Sequence, residues 1–350
     1  MMKLNSIIDE YQSTYFNKYQ SSIQPNQSAA IRSIQRCRTS QSGELFLQCS
    51  KCDEKHWQPL SCGNRNCPVC QNHESSQWLD RQQKKLLPVE YFMVTFTLPY
   101  QLRKLVWLNQ QKIYTLFFEC ISSTLKDFGL NPDNKLDAEI GMTAVLHTHS
   151  RKLDYHPHIH VIVPGGGINK QKKQWRKIKG KYLFNEFALS RVFRARFLTA
   201  LNQNSLVIPS KLPQKWIVDC THVGKGFPAL KYLSRYLYRG VISEKNIISN
   251  KNGMVTFQYT DSKTKQIKHR ILKGEDFLNL IFLHVLPKGF RRVRDYGFLH
   301  PNAKKILFLV QLVLHVIIKE IKLRPRPSFK CNKCQSTMNI VAFLKYRHPD

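Results

Sequence analysis

His156-Pro157-His158-Ile159-His160-Val161-Ile162-Val163 alternates imidazole rings with aliphatic side chains up to residue 161. In a β-strand alternate side chains share a face, so His158 and His160 point one way while Ile159, Val161 and Val163 point the other. Two neutral imidazoles two residues apart on a rigid, half-buried strand suit a divalent metal ion, with coordination positions left for water or a phosphate oxygen. The pattern therefore predicts both a strand and a metal site on one of its faces.

The neighbouring segments extend this reading. Ile140 to His149 and Tyr155 to Val163 read as two strands joined by a short polar connection, most simply an antiparallel hairpin. His147 and His149 share a face of the first strand, and the register decides whether that face also carries His158 and His160. His147 is the expected third ligand.

A second constellation lies in Phe227-Pro228-Ala229-Leu230-Lys231-Tyr232-Leu233-Ser234-Arg235-Tyr236-Leu237-Tyr238-Arg239-Gly240, with proline where a helix would start and glycine just past its end. At about 100° per residue, Leu230, Leu233 and Leu237 form one apolar stripe. Tyr232 and Tyr236 lie side by side off that stripe, Arg235 and Arg239 border them, and Tyr238 falls elsewhere. A phenol, with a pKa of roughly 10, is a weak nucleophile near neutrality. To attack a phosphodiester it needs a metal that polarises the phosphate and cations that stabilise the developing charge.

The composition agrees with a polyanionic partner. Among 350 residues, 55 Lys and Arg stand against 23 Asp and Glu, a formal net charge of +32 that exceeds what solubility requires. Residues 1–13 have no apolar core of the signal-peptide kind. Ile306 to Ile318 is interrupted by Gln311 and His315 and falls short of the roughly 20 residues of a membrane span. It reads as a buried helix. DNA is thus the expected partner, with no membrane.

Six of the ten cysteines fall in the first 70 residues, spaced as metal ligands and not as a secreted disulfide framework, which fits a reducing cytoplasm. Cys49-x2-Cys52 and Cys67-x2-Cys70 are two knuckles suited to one tetrahedral Zn²⁺ held by four thiolates, which would supply folding free energy to a span with little core. His56 or His73 is an alternative fourth ligand, leaving Cys37 and Cys62 over. Cys331-x2-Cys334 is half a site. It could meet Cys37 and Cys62 in space, bind metal across a dimer, or bind nothing.

Composition and periodicity divide the chain into an N-terminal helical segment (1–36), a zinc-binding domain (37–85), an α+β catalytic domain with a mostly antiparallel sheet (88–300) and a C-terminal helix with a Cys-x2-Cys tail (301–350). Strands are expected at Tyr91–Leu98 and 214–221 and as a hairpin of Met254–Thr260 with Lys268–Leu272. Helices are expected near Leu105–Phe128, at 185–202 and 228–239, and predominantly after Gly274.

These motifs together resemble the two-tyrosine HUH transposases of the insertion-sequence ninety-one group, HUH denoting histidine-hydrophobe-histidine. The likeness rests on His156 to His160 followed by Val163-Pro164-Gly165-Gly166-Gly167, and on Lys231-Tyr232-Leu233-Ser234-Arg235-Tyr236. Cys62-Gly63-Asn64-Arg65-Asn66-Cys67-Pro68-Val69-Cys70, Val94 to Pro99, His284 to Phe290 and Tyr296 to Leu299 extend it across residues 30 to 305. The resemblance implies a five-stranded antiparallel HUH sheet flanked by helices and preceded by a zinc-binding domain. It implies strand nicking through a 5′-phosphotyrosyl intermediate at Tyr232 and Tyr236, with His147, His158 and His160 on Mg²⁺ or Mn²⁺. Lys231, Arg235 and Arg239 would contact DNA, single-stranded or at hairpin ends. At the position of His149 the family commonly carries an aromatic residue. A plasmid rolling-circle replication initiator, a relaxase or a catalytically silent zinc-dependent DNA-binding protein are the alternatives.

Overall fold

The alternation around His158 forms a strand, and four others join it in one sheet. The computed structural model describes residues 2–70, 72–134, 136–237, 241–261, 263–317, 325 and 328–344. The chain opens with helices α1 (Leu4–Tyr19) and α2 (Pro25–Gln35), strands β1 (Glu44–Cys49) and β2 (Lys55–Pro59), and helix α3 (Asn72–Gln83). Pro25 occupies the first turn of α2, and the Gln24 and Gln27 side chains reciprocally satisfy the backbone there. Then follow β3 (Glu90–Thr97), α4 (Arg103–Leu108), α5 (Gln110–Leu130), β4 (Met142–His149), β5 (Tyr155–Pro164), β6 (Gly166–Asn169) and β7 (Gln174–Lys177). The remainder comprises α6 (Glu186–Gln203), β8 (Ile217–Lys225), α7 (Gly226–Leu237), β9 (Ile247–Lys251), β10 (Met254–Thr260), β11 (Ile267–Lys273), α8 (Gly274–Phe282), β12 (Val293–Tyr296), α9 (Lys304–Val313) and β13 (Met338–Leu344).

The central sheet runs β12-β4-β5-β3-β8, antiparallel throughout. Its two faces are distinct because the side-chain period is two. Phe92, Val94, Phe96, Leu146, Ile159, Val161 and Val163 point into the main core, where α5 and α6 contribute Phe117, Phe193 and Phe197. On the opposite face Val145 and Ile162 pack against Leu230 and Leu233 of α7 and Trp78 and Leu79 of α3. The tyrosine helix therefore lies over the face that carries His158 and His160. Leu233 is fully buried there, and truncating such a side chain to alanine costs about 2–5 kcal/mol.

A second core joins the N-terminal helices to α8 and the small sheet β11-β10-β9 through Tyr15, Ile31, Phe257, Phe277 and Phe282. Two strands lie where helices were expected. β12 is four residues long, forms only by pairing with β4, and is fastened by Asp295, which accepts from Thr143 at 2.6 Å and pairs with Lys85 at 2.7 Å. β13 returns to pair with β1, so the C-terminal tail completes the three-stranded sheet β13-β1-β2 near the start of the chain. Among the described residues no helix is long and apolar enough to cross a membrane.

Candidate active site and cysteine clusters

The register of β4 on β5 places His147 directly opposite His158 and Val145 opposite His160. Residues opposite one another in an antiparallel pair share a face, so three imidazoles converge. Ring centroids of His147 lie 5.2 Å from His158 and 4.6 Å from His160, and one ligand atom from each of the three falls within 4.8 Å of the others. A β-irregularity after His147 re-aims the next face-sharing residue. His149 stands beside His284, ring centroids 5.2 Å apart, and outside the trio.

The outer nitrogens of the trio are oriented by hydrogen bonds. His158 Nδ1 lies 2.7 Å from the His156 carbonyl oxygen, which can only accept, so Nδ1 carries the proton and Nε2 is left as a ligand. His160 Nδ1 lies 2.9 Å from Thr95 Oγ1, on the strand position paired with it. Such bonds fix tautomer and ring orientation around metals. Burial holds the rings neutral: His158 is pushed down to about 3 by burial and then by His160, and His160 to about 4 by burial, which Asp219 partly opposes. His147 lies well below the usual imidazole value, again chiefly through burial and then through His160 and His158. Three neutral, converging nitrogens fit a divalent cation better than any proton-sharing arrangement.

Tyr232 reaches this site from α7, its ring 6.3 Å from that of His160 and nearly perpendicular to it. Both open into a cleft of about 840 Å³. Arg103, Arg151 and Lys152 line it with the histidines, as do Phe257 and Tyr259 of β10. Lys231 is exposed on the same helix. Arg235 and Tyr236 lie in α7, but their side chains fall outside the described residues, as do Tyr238 and Arg239 altogether.

The zinc quartet expected from the sequence, Cys49, Cys52, Cys67 and Cys70, is split between two clusters. Cys67 and Cys70 meet Cys37 and Cys62, whereas Cys49 and Cys52 meet Cys331 and Cys334. Local spacing identifies a knuckle but does not choose its partner, and here β13 brings the distant pair to the end of β1. Neither His56 nor His73 belongs to either cluster. In the first, sulfur separations of 3.5 Å (Cys37 to Cys70) and 3.7 Å (Cys62 to Cys70, Cys67 to Cys37) match the edge of about 3.8 Å expected for tetrahedral Zn–S bonds of about 2.3 Å. Hydrogen bonds among the crowded thiols hold Cys70 well below the usual thiol range and bring Cys37 down to about 7, while they push Cys62 and Cys67 well above it. This quartet adjoins the active domain. Arg65 donates to the Phe290 carbonyl at 2.7 Å, Cys67 and Cys70 pack with Leu153 of the β4–β5 turn, and α3 runs from the quartet to the underside of α7.

Several site residues carried no sequence signal of their own. Thr95 was visible only as a polar position in an alternating strand motif, with no role attached to it. Arg103, whose guanidinium donates to His156 Nδ1 at 2.6 Å, lies in α4 outside any motif. His284 was noted only within a signature, yet its Nε2 donates to the Leu153 carbonyl at 2.7 Å and ties down the β4–β5 turn.

Histidines spaced in this way on a central antiparallel strand, with a tyrosine helix across the same face, place the chain in the HUH class. Residues 141–305 match the family described as "Putative transposase", and residues 7–98 match the transposase zinc-binding domain. The "Putative transposase y4qJ" of Sinorhizobium fredii (strain NBRC 101917 / NGR234) is 33% identical over 301 residues, covering 79% of this chain and 75% of its own. The transposase for insertion sequence element IS801 of Pseudomonas savastanoi pv. phaseolicola is 27% identical over 284 residues, covering 75% and 68%. The chain belongs to the IS91 family of transposases, with an N-terminal zinc-binding domain. Among solved structures, the conjugative relaxase TrwC in complex with mutant oriT DNA aligns over 64% of this chain and 74% of its own, at 12% identity and a TM-score of 0.28.

Proposed function

We propose that the protein nicks and rejoins single-stranded DNA during rolling-circle transposition of its own element, in the bacterial cytoplasm, with Tyr232 as a nucleophile. The observation that carries this reading is the Tyr232 ring beside His160 above three clustered neutral histidines, in a cleft edged by arginine and lysine. His147, His158 and His160 would hold Mg²⁺ or Mn²⁺, which supplies Lewis-acid polarisation of the scissile phosphate.

The Tyr232 hydroxyl attacks phosphorus, the bond to the 3′ oxygen breaks, and that oxygen leaves as a 3′-hydroxyl with the proton the phenol gave up. One phosphodiester replaces another, so no external energy source is consumed. Arg103, Arg151 and Lys152 hold the strand through its phosphates and stabilise charge in the transfer. Tyr236, one helical turn further on, would serve the second of two linked transfers, with Lys231, Arg235 and Arg239 on the backbone nearby.

Incubation with single-stranded oligonucleotides from the element's ends and Mn²⁺ tests this. A DNA-linked protein band that resists denaturation and carries a free 3′-hydroxyl on the released fragment is expected. Cleavage without any covalent adduct would refute the tyrosine mechanism and leave a hydrolytic metal nuclease.

A further inference from the structure

We propose that Cys49, Cys52, Cys331 and Cys334 bind a second zinc ion, distinct from that of the Cys37 quartet, and that this ion fastens the C-terminal tail to the N-terminal hairpin. Cys49 and Cys334 are 285 positions apart and their sulfurs 3.4 Å; Cys52 and Cys331 are 279 positions apart and theirs 3.5 Å. All four sulfurs lie within 4.8 Å of one another.

The two halves are built alike, as the two knuckles of a zinc ribbon must be. The Cys49 amide donates to the Glu54 carbonyl at 2.8 Å, and the Cys331 amide donates to the Ser336 carbonyl, also five residues on, at 2.9 Å. Immediately after the second cysteine of each pair the backbone turns left-handed, at Asp53 (φ 51°) and Gln335 (φ 59°). That conformation is costly for a residue with a Cβ, and its recurrence at matching positions shows a specified turn. The Lys51 amide points at the Cys49 sulfur at 3.4 Å, as donors do toward a thiolate.

Burial supplies the remaining argument. Among the described residues, Cys49 and Cys331 are buried with Leu47 and Met338 in a cluster of four core residues, with Leu45 half-buried against it. Cys52 and Cys334 are exposed and contribute nothing to it. So small a core cannot by itself hold a three-stranded sheet whose strands come from opposite ends of the chain. A metal ion with four thiolates can. The Lys333–Glu54 ion pair at 2.5 Å bridges the same two segments at the surface and adds little.

The test uses the full-length protein purified without chelator. About two zinc ions per chain are expected, with X-ray absorption showing sulfur-only coordination, and Cys331→Ser plus Cys334→Ser should remove about one zinc while leaving the Cys37 site filled. Alkylation of the wild type gives a readout independent of variant folding. Exposed Cys52 and Cys334 should resist N-ethylmaleimide until zinc is chelated, then react together with Cys49 and Cys331. One zinc per chain, unchanged zinc in the double variant, immediate alkylation of Cys52 and Cys334, or their recovery in disulfides would each overturn the proposal.

Discussion

His147 stands directly across the β4–β5 ladder from His158, and the irregularity that follows sends His149 to His284 instead. Two histidines separated by one residue on the same strand therefore have different tasks. His147→Ala should lower Mn²⁺ affinity and oligonucleotide cleavage by about 100-fold or more, because it removes a proposed direct ligand. His149→Phe should keep cleavage within about tenfold, since an aromatic ring preserves the packing against His284. Titration calorimetry with Mn²⁺ and a cleavage assay on both variants decide the matter, and equal losses would show that the trio is misassigned.

Thr95 acts through His160. Removing its hydroxyl in Thr95→Val leaves His160 Nδ1 without the partner it has at 2.9 Å, so the ring loses its fixed tautomer and orientation. A fall of about 10- to 100-fold in metal affinity is expected. Thr95→Ser restores the hydroxyl and should recover most of it, whereas a purely packing role would give valine the milder effect.

Much of this site was legible from residue types at fixed spacing. The period of two around His158 and His160 specified both the strand and the face on which the histidines gather, and the proline and glycine flanks of α7 marked the tyrosine helix. What stayed hidden depends on pairings distant in sequence. Val293 to Tyr296 is too short to announce a strand and becomes one only beside β4. The partner of the Cys49 knuckle lies 279 to 285 positions away, a choice that no local spacing encodes. Thr95 and Arg103 are single polar residues whose meaning appears only when β3 and α4 meet β5.

The buried neutral histidines make the protein acid-sensitive. His158 is pushed down to about 3, and His160 and His284 to about 4, in each case first by burial, while an unfolded chain takes up those protons near pH 6.5. Between these values the unfolded state binds more protons, so stability is intact above pH 6.5 and falls on acidification toward pH 4. Each histidine contributes at most about 1.4 kcal/mol per pH unit in that window. Thermal melts without added Mg²⁺ or Mn²⁺ should show the midpoint dropping from pH 7 to pH 5, less steeply in His284→Gln. A flat midpoint across this range would contradict the burial of these rings.

The tyrosine assignment makes the sharpest demand on chemistry. Tyr232 is the phenol beside His160 and Tyr236 follows one turn later, while the helical period of the sequence separates Tyr238 from either by about 120° or more. Tyr232→Phe and Tyr236→Phe should each block transposition in cells, since the proposed mechanism needs one tyrosine to release a donor strand while the other holds DNA. In vitro a single variant retains some covalent adduct at the remaining tyrosine, and Tyr238→Phe should stay within about threefold of the parent, as expected for a substitution away from the reacting groups. Phenylalanine differs from tyrosine only by the hydroxyl, so a loss in either variant reports that group and not the fold. Mass spectrometry of the trapped adduct locates the modified residue. A nucleotide on Tyr238, or on no tyrosine of α7, would rule out the two-nucleophile mechanism.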